Sequence, residues 1–319
     1  MTPIRLLRAD ELAELGITPR ALTTALTSSA LVKVRPAVYA TGAEWISATP
    51  EAQIIARARA LALVAAVPPI ISHESAAALH GLGLYRPDRA RVHVIAPAER
   101  PGAAAGVIRH RGELPDEDLV ELGAIRVTSL ARTVADVART GTFEQAVTVA
   151  DAALRQQFAR RQDQYDDEGA EEFRRLVSRI VRRSAHGQSC AKRVLDFADG
   201  RAQLPGESVS RVRLAALGFR NIALQVAVPG LRRRTYYVDF GMEDAQAFGE
   251  FDGSIKYVDG RILDGRTAAQ VFDEEKQRED WIRGTTQRRY ARWGWPHIGT
   301  ARDLGTRLEA FGISAPGRP

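Results

Sequence analysis

Cysteine is almost absent from this sequence, and its scarcity excludes two classes of structure. Cys190 is the single cysteine among 319 residues, so the chain cannot form an intramolecular disulfide or a cysteine-rich zinc site. Long apolar runs are missing too. The longest, residues 58–71, is interrupted by one arginine and two prolines, and it is too short and too broken to cross a bilayer.

Two further absences narrow the expected function. The first residues, MTPIRLLRADELAE, are charged and lack the apolar core of a signal peptide, so we expect a soluble cytoplasmic protein with no membrane partner. A phosphate-binding glycine loop is also missing. The nearest candidate, GLGLYR at residues 81–86, lacks the third glycine of a dinucleotide-binding turn. Catalysis on small molecules therefore has little support.

The composition that remains is that of a globular and basic protein. Hydrophobic residues make up 45% of the chain and charged residues 26%, and the net charge is +6, which is compatible with a polyanionic partner. The length suits about two or three domains. The sequence divides into four regions, at residues 1–45, 46–160, 161–200 and 201–319. Their predicted elements indicate an α/β fold class, α+β overall.

The first region follows the pattern of two short helices and a basic hairpin. Gly16 ends the first helix, and Thr18 before Pro19 predicts the N-cap and first turn of a second helix. Apolar and basic residues alternate in LVKVR, residues 31–35, which is typical of a strand with one basic face. This order is that of a winged helix, which binds DNA. A helix pair packed only for stability is the alternative.

The run ITPRALTTALTSSALVKVRPAVYA resembles the N-terminal winged helix of abortive-infection type IV antitoxins. ISHESAAALHGLGL and IRVTSLARTVADVAR resemble the middle region that follows in actinobacterial members, so the resemblance covers about residues 1–160. It implies sequence-specific DNA binding, often at the protein's own promoter. The residues that it implicates in DNA binding are Arg20, Thr23, Thr24, Lys33 and Arg35.

The middle region and the connector after it carry less specific signals. In HESAAALH, His73 and His80 stand seven residues apart, whereas the histidines of an HExxH zinc site are four apart. We therefore expect His73 to help start a helix and His80 to pack against the core. In the connector 161–200, apolar residues from Phe173 to Ile180 recur at helical spacing and predict an amphipathic helix. Its basic residues form a solvated face or contact nucleic acid.

Acidic residues recur on successive predicted strands of the last region. TYYVDF places Asp239 on one strand, and AFGEFD places Glu250 and Asp252 on the next. If these strands pair as an antiparallel hairpin, the three carboxylates converge. Clustered carboxylates repel one another unless a cation compensates, and oxygen ligands favour Mg²⁺ or Mn²⁺. Lys256 is placed to stabilise charge on a phosphate. Capping of the turn at Asp252-Gly253 is the alternative.

The pattern D-x(10)-E-x-D-G-x-x-K, from Asp239 to Lys256, resembles the PD-(D/E)xK nuclease superfamily and is similar to its very-short-patch-repair branch. The segments on either side of this pattern also resemble that superfamily. A predicted helix at GES precedes the pattern, and a predicted helix at EKQRED and a strand at WGW follow it. The resemblance covers about residues 205–310 and implies a restriction-endonuclease-like α/β domain. It also implies that Asp239 and Glu250 bind a metal ion and that Glu207 orients a ligand or water.

Two positions depart from the superfamily's pattern. Lys256 stands where the branch often has histidine, and Asp252 stands where the superfamily usually has lysine. A third carboxylate thus occupies a place where a cation is expected. Lys276 and Arg278 of the later helix are candidates to replace that cation or to contact phosphate. Intrahelical pairs with neighbouring acidic residues are their alternative role.

Two functions follow from the sequence. The first is a DNA endonuclease that uses Mg²⁺ or Mn²⁺ to hydrolyse phosphodiesters. The second is an antitoxin-like transcriptional repressor of a type IV toxin–antitoxin system, whose nuclease-like domain is inactive and whose partner is a cognate toxin protein. Winged helices often read paired half-sites as dimers, so a homodimer is compatible with either function.

Overall fold

A computed structural model describes residues 3–96, 105–161, 164–230, 234–253 and 268–316. The chain forms two compact units. The first contains Met1–Ala153 and Glu171–Phe197, and the second contains Leu154–Ala170 and Ala198–Pro319. Helices and mixed sheets occur in both units, which confirms the α/β fold class. No helix in the described part of the chain has the length and apolar character needed to span a membrane.

The first unit begins with the predicted pair of helices and hairpin. The elements are β1 (Leu7–Arg8), α1 (Ala9–Glu14), α2 (Pro19–Thr27), β2 (Leu31–Arg35), β3 (Val38–Thr41), α3 (Gly42–Ser47) and α4 (Pro50–Val64). Thr18 caps α2, because its hydroxyl accepts the N–H of Ala21 at 3.2 Å. The three strands form an antiparallel sheet in the order β1-β3-β2. Val34 and Val38 of the hairpin pack with the alanines of α4.

A five-stranded mixed sheet follows in the same unit, in the order β6-β5-β4-β8-β7. Its strands and the helices around them are β4 (Ile70–Ile71), α5 (His73–Leu79), β5 (Val92–Ala96), β6 (Val107–Arg111), β7 (Leu119–Leu122), β8 (Ile125–Thr128), α6 (Leu130–Thr140) and α7 (Phe143–Phe158). The connector contains the hairpin β9 (Ala159–Arg161) and β10 (Gln164–Tyr165), then α8 (Asp167–Val181) and α9 (Gln188–Phe197). Helix α8 is the amphipathic helix expected there.

A buried ionic cluster joins α6 to the segment before β7. The Arg132 guanidinium donates to Asp136, four residues later on α6, at 3.0 Å and to Asp118 at 2.8 Å. The side chains of both aspartates are at most 2% exposed. Asp118 and Asp136 also pair with Arg183 and Arg139, at 2.7 and 2.6 Å. Burial alone would lower the pKa of Arg132, but the two aspartates raise it.

The second unit has the predicted order of one helix, three strands, a second helix and a further strand. Its elements are α10 (Pro205–Ala216), β11 (Ile222–Pro229), β12 (Thr235–Met242), β13 (Ala247–Phe251), α11 (Ala268–Thr286), β14 (Arg289–Trp293) and α12 (Ala301–Glu309). The sheet order is β11-β12-β13-β14. The first two strand pairs are antiparallel, and β14 runs parallel to β13.

The core of the second unit requires glycine at position 249 on β13. A Cβ atom there would lie 2.2 Å from Cη2 of Trp293 on the neighbouring strand β14. The Trp293 side chain is itself buried, so it has little space into which it can retreat. We therefore expect Gly249→Ala to lower the free energy of unfolding by about 1–3 kcal/mol, the usual effect of overpacking a core.

Chemical denaturation measures this effect, and the chain offers a matched control. Gly284 lies in α11, and beyond its chain neighbours and its own helix backbone no atom lies within 4 Å of the position that a Cβ would occupy, so Gly284→Ala introduces the same methyl group without a clash. Alanine also has the higher helix propensity, so we expect Gly284→Ala to leave stability unchanged or raise it. Equal stability of the two variants would contradict the packing argument.

Candidate functional site

A cleft of about 360 Å³ opens in the second unit at the ends of β12 and β13. Four carboxylates and two guanidiniums line it, together with Gln203 and backbone or side-chain atoms of β12. The charged lining residues are Asp239, Glu250, Asp252, Glu275, Arg278 and Arg292. The three carboxylates that the sequence analysis expected to converge therefore share one cleft.

The pairing of β12 with β13 brings Asp239 and Glu250 to this cleft. The two strands are antiparallel, with Phe240 opposite Gly249, so the next residues toward the cleft are Asp239 and Glu250. Oδ2 of Asp239 accepts the N–H of Phe251 at 2.9 Å. This hydrogen bond fixes the Asp239 carboxylate against the end of β13. Asp252 follows that strand directly, and its N–H donates to the carbonyl of Trp293 at 2.7 Å.

Glu250 is held by two arginines from different elements. Its Oε1 lies 2.6 Å from Nη2 of Arg278 on α11, and its Oε2 lies 2.9 Å from Nη2 of Arg292. Arg292 stands directly opposite Glu250 in the parallel register of β13 and β14. Arg278 also donates to the carbonyl of Tyr237. The Glu250 side chain is 11% exposed, so this is a largely desolvated ion-pair cluster.

The cluster extends from Glu250 toward solvent along α11. Arg292 also lies 3.5 Å from a carboxylate oxygen of Glu275 and 3.4 Å from one of Glu279. Burial by itself would lower the pKa of both arginines. The hydrogen bond and charge of Glu250 outweigh burial at Arg278, and the charges around Arg292 have the same effect, so the pKa of each guanidinium is raised. Both arginines therefore remain charged at any working pH.

Gln225 links Asp239 to Glu207, the buried carboxylate near the start of α10. Glu207 is 3% exposed and accepts the N–H of Gln203 at 2.8 Å. Nε2 of Gln225 lies 3.4 Å from both Glu207 Oε2 and Asp239 Oδ1. Gln225 has a φ of +50°, a left-handed conformation that is uncommon for residues other than glycine. Its amide is thus held against two acidic residues by a strained backbone.

The remaining residues proposed for this site differ in their placement. Lys256 lies outside the described residues. Lys276 is exposed on α11, and it does not line the cleft. Arg278 does line it, and its carboxylate partner is Glu250 rather than an acidic neighbour on its own helix. Of the cations expected from the sequence that lie among the described residues, Arg278 is therefore the one that lies beside the carboxylates.

The residues expected to bind DNA lie on α2 and β2 of the first unit. Arg20, Thr23 and Thr24 are exposed on α2. The hydroxyls of the two threonines donate to helix carbonyls one turn earlier, at 3.0 and 3.1 Å. Lys33 is exposed on β2. Arg35 is only partly exposed, and burial lowers its pKa. Arg35 is therefore partly shielded from solvent, whereas the other four side chains are accessible to a ligand.

The donors of the cleft fit a hard divalent cation, because they are carboxylate oxygens, which Mg²⁺ and Mn²⁺ prefer. The fit is not equal for all of them. Both oxygens of Glu250 already accept guanidinium hydrogen bonds, so coordination by Glu250 requires at least one of its arginines to move. Asp239 accepts the N–H of Phe251 at 2.9 Å, and one of its oxygens lies 3.4 Å from the Gln225 amide nitrogen.

Two residues of the site were not found from the sequence. Arg292 lies in a strand recognised by its tryptophans, and Gln225 alternates with apolar residues as an ordinary solvent-facing strand residue would. The parallel pairing of β13 with β14 makes Arg292 a site residue, and the left-handed backbone makes Gln225 one. The one available signal was a polar side chain within a strand, which is not specific.

No protein-family model matches the chain, and no curated protein is similar to it. Among solved structures, the chain is similar to the crystal structure of the RV2827C protein from Mycobacterium tuberculosis. The sequence identity is 14%, the match covers 61% of this chain and 76% of that chain, and the TM-score is 0.34. At that TM-score the similarity indicates neither fold nor function, so the chemistry of the site rests on its own residues.

Proposed function

We propose that this chain is a DNA-binding protein whose second-unit cleft hydrolyses DNA phosphodiesters with Mg²⁺ or Mn²⁺. The observation that carries the proposal is the convergence of Asp239, Glu250 and Asp252, from two neighbouring strands, in one cleft with two guanidiniums. The order of helices and strands around that cleft is the one expected for a restriction-endonuclease-like domain. The exposed polar face of α2 and the basic strand β2 support DNA binding by residues 9–41 as a winged helix.

The residues of the cleft have distinct roles in this proposal. Asp239 and Glu250 would hold the divalent ion once one arginine of Glu250 moves aside, and the ion would activate water and neutralise charge on the phosphate beside Asp252. Arg278 and Arg292 hold the Glu250 carboxylate before the ion binds, and they bring two cations to the cleft for an incoming phosphate. Glu207 and Gln225 act as positioning residues, because Gln225 connects Glu207 to the Asp239 carboxylate.

The first experiment measures binding and cleavage by the wild-type chain together. Mg²⁺ and Mn²⁺ are titrated into the chelator-treated protein by calorimetry, and the same preparation is incubated with supercoiled plasmid, with and without metal. We expect metal-dependent nicking or linearisation that stops when a chelator is added. Absence of both metal binding and cleavage would overturn the enzymatic proposal.

A second function is favoured by the ion pairs of Glu250. Two arginines already compensate its charge, so the cluster does not require a metal ion to be stable. The chain is then an antitoxin-like repressor, which binds an operator and a cognate toxin protein, and its nuclease-like cleft is structural. Specific operator binding by a wild-type protein that cleaves no DNA would favour this function over the first. A nucleotidyltransferase-like toxin encoded by the neighbouring gene would support it as well.

Both functions predict that exposed cations of the first unit contact DNA phosphates. We expect the double variant Arg20→Ala, Lys33→Ala to weaken DNA binding at least about tenfold. Each phosphate contact contributes about 0.9 to the magnitude of the negative slope of log affinity against log salt concentration. The variant lacks two cations, so the magnitude of this slope should fall by about 2. Fluorescence anisotropy over a series of salt concentrations measures both quantities.

The control for this prediction removes the same charge elsewhere. Lys192 and Arg302 are exposed on α9 and α12, so the double variant Lys192→Ala, Arg302→Ala changes the net charge equally. We expect it to retain the wild-type salt slope. If both double variants lower the slope to the same extent, binding depends on overall charge, and the proposed contact surface on α2 and β2 is wrong.

A further inference from the structure

Three of the six histidines come together in the first unit, although they are far apart in the sequence. His93 lies on β5 and His110 on β6, and these strands are parallel neighbours with His93 opposite Ile108. His93 and His110 are therefore two positions apart in register and point to the same face of the sheet. His73 is the first residue of α5, which follows β4 on the other side of β5.

The imidazole nitrogens of this histidine cluster lie close to one another. One ring nitrogen from each histidine can be chosen so that the three nitrogens all lie within 4.8 Å of one another. Nδ1 of His93 lies 3.0 Å from Nε2 of His110. The rings of His73 and His110 are stacked, with centroids 3.4 Å apart. Three ligands on one tetrahedral Zn²⁺ ion at about 2.0–2.1 Å are about 3.3 Å apart, so a pair of nitrogens at the 4.8 Å limit would close by about 1.5 Å. The stacked rings of His73 and His110 would also rotate, because the lone pair of an imidazole nitrogen lies in the plane of its ring.

The surroundings of the cluster leave its rings uncharged. Burial, followed by the charges of His110 and Arg91, lowers the pKa of His93 to about 4, against the opposing effect of Asp88. Burial and the charges of the other two histidines, Arg139 and Arg132 lower the pKa of His73. The pKa of His110 is lowered too, by burial and Arg139, despite the nearby Asp136.

A local interaction fixes the ring of His73 in the way that rings are fixed in metal sites. Nδ1 of His73 lies 3.0 Å from Oγ of Ser72, which leaves the opposite ring nitrogen of His73 for a ligand. Such a partner on the second nitrogen is the usual companion of a metal-bound histidine. His73 also has a φ of +51°, a left-handed backbone conformation that is uncommon outside glycine. Nε2 of His93 is buried and has no hydrogen-bond partner among the described residues.

One side of the cluster opens into a cavity of about 370 Å³. His73 and His93 line it, together with Glu74, Asp88, Arg86 and Arg91. A site with three protein ligands and an open fourth position is the arrangement of catalytic rather than purely structural zinc sites.

We propose that His73, His93 and His110 form a binding site for one divalent transition-metal ion, with Zn²⁺ as the best match to three imidazole ligands. Imidazole also suits Cu²⁺ and Ni²⁺, whereas Mg²⁺ prefers oxygen ligands. This site is therefore chemically separate from the carboxylate cleft of the second unit. His73 is the first residue of α5, as expected, and the proposal gives its side chain a second role. His80, whose Nε2 lies 2.8 Å from the carbonyl of Thr128, is not part of the cluster.

Calorimetric titration of Zn²⁺ into the chelator-treated full chain tests the proposal. We expect one Zn²⁺ per chain, and we expect His93→Gln and His110→Gln each to weaken the affinity by about a hundredfold or more, because loss of a ligand exceeds loss of an outer partner. His186→Gln is the matched control, since His186 is exposed and outside the cluster. Asp239→Asn controls for binding by the carboxylate cleft. Both controls should retain the wild-type affinity.

A measurement on the wild-type chain keeps the test decisive if the cluster variants do not fold. In ¹⁵N–¹H correlation spectra of the imidazoles, Zn²⁺ should shift the resonances of three histidines and leave those of His186 and His297 unchanged. Zn²⁺ should also raise the melting temperature of the wild type. Absence of Zn²⁺ binding by the wild type would overturn the proposal. Wild-type affinity in folded His93→Gln and His110→Gln, or resonance shifts confined to other histidines, would overturn it too.

Discussion

Asp239→Asn is expected to lower metal-dependent plasmid cleavage at least about a hundredfold while the second unit stays folded. An amide is a poorer ligand than a carboxylate for a hard divalent cation. Its carbonyl oxygen can still accept the N–H of Phe251, which Asp239 accepts at 2.9 Å. Removing one group that stabilises transition-state charge typically lowers the rate about 10²–10³-fold. Initial rates of plasmid nicking at fixed metal concentration measure the effect.

The design of this test follows from the ion pairs around the cleft. Glu250→Gln would be ambiguous, because it removes the carboxylate partner of both Arg278 and Arg292 and so destabilises the fold. Asp280→Asn is the matched control, since Asp280 is exposed on α11 and does not line the cleft. It should cleave at the wild-type rate. An Asp239→Asn variant as active as the wild type would place hydrolysis outside this cleft.

Arg132→Met is expected to reduce the free energy of unfolding by about 3–5 kcal/mol, the typical loss when one partner of a buried ion pair is removed. The side chain of Arg132 is 7% exposed, and it contacts Asp118 and Asp136, which are almost fully buried. Arg139 and Arg183 still neutralise part of the aspartate charge, which places the expected loss toward the lower end of that range. Chemical denaturation, followed by a probe of the first unit, measures it.

A second substitution separates lost charge from lost packing in this cluster. The double variant Arg132→Met, Asp136→Asn removes the carboxylate that Arg132→Met leaves unpaired. If that charge causes the loss of stability, the double variant should lose less free energy of unfolding than the sum of the losses in the two single variants. Lys192→Ala, which breaks an exposed pair with Asp196, should leave the unfolding midpoint unchanged. A change of less than about 1 kcal/mol for Arg132→Met would show that this cluster contributes little to stability.

Much of the carboxylate cleft could be predicted, because its residues lie on consecutive strands. Alternation in TYYVDF and AFGEFD assigned Asp239 to one strand and Glu250 and Asp252 to the next. Because consecutive strands usually pair with each other, the three carboxylates were expected to lie close together. The partner of Glu250 was not predictable in the same way. Arg292 reaches Glu250 because β14 pairs in parallel with β13 after a helical crossover. The register of such a pair cannot be predicted from the sequence of either strand.

The histidine cluster shows the same limit more clearly. His73, His93 and His110 have no motif spacing, and the spacing that was visible linked His73 to His80 instead. The order β6-β5-β4 brings His110 beside His93, and the ring of His73, at the start of α5, stacks on that of His110. Strand order over long sequence distances creates this cluster, and it leaves no local pattern in the sequence.

Many helices and strands of this protein can be recognised from local sequence patterns. Caps such as Thr18, the apolar periodicity of α8 and α10, and the alternation of β11 and β12 are local effects, so they can be recognised within a few residues. The tertiary fold sets which charges and rings meet: Glu250 with two arginines, Arg132 with two aspartates, and three histidines with one another. Those contacts depend on sheet order and burial, which arise when distant segments pack together and exclude water.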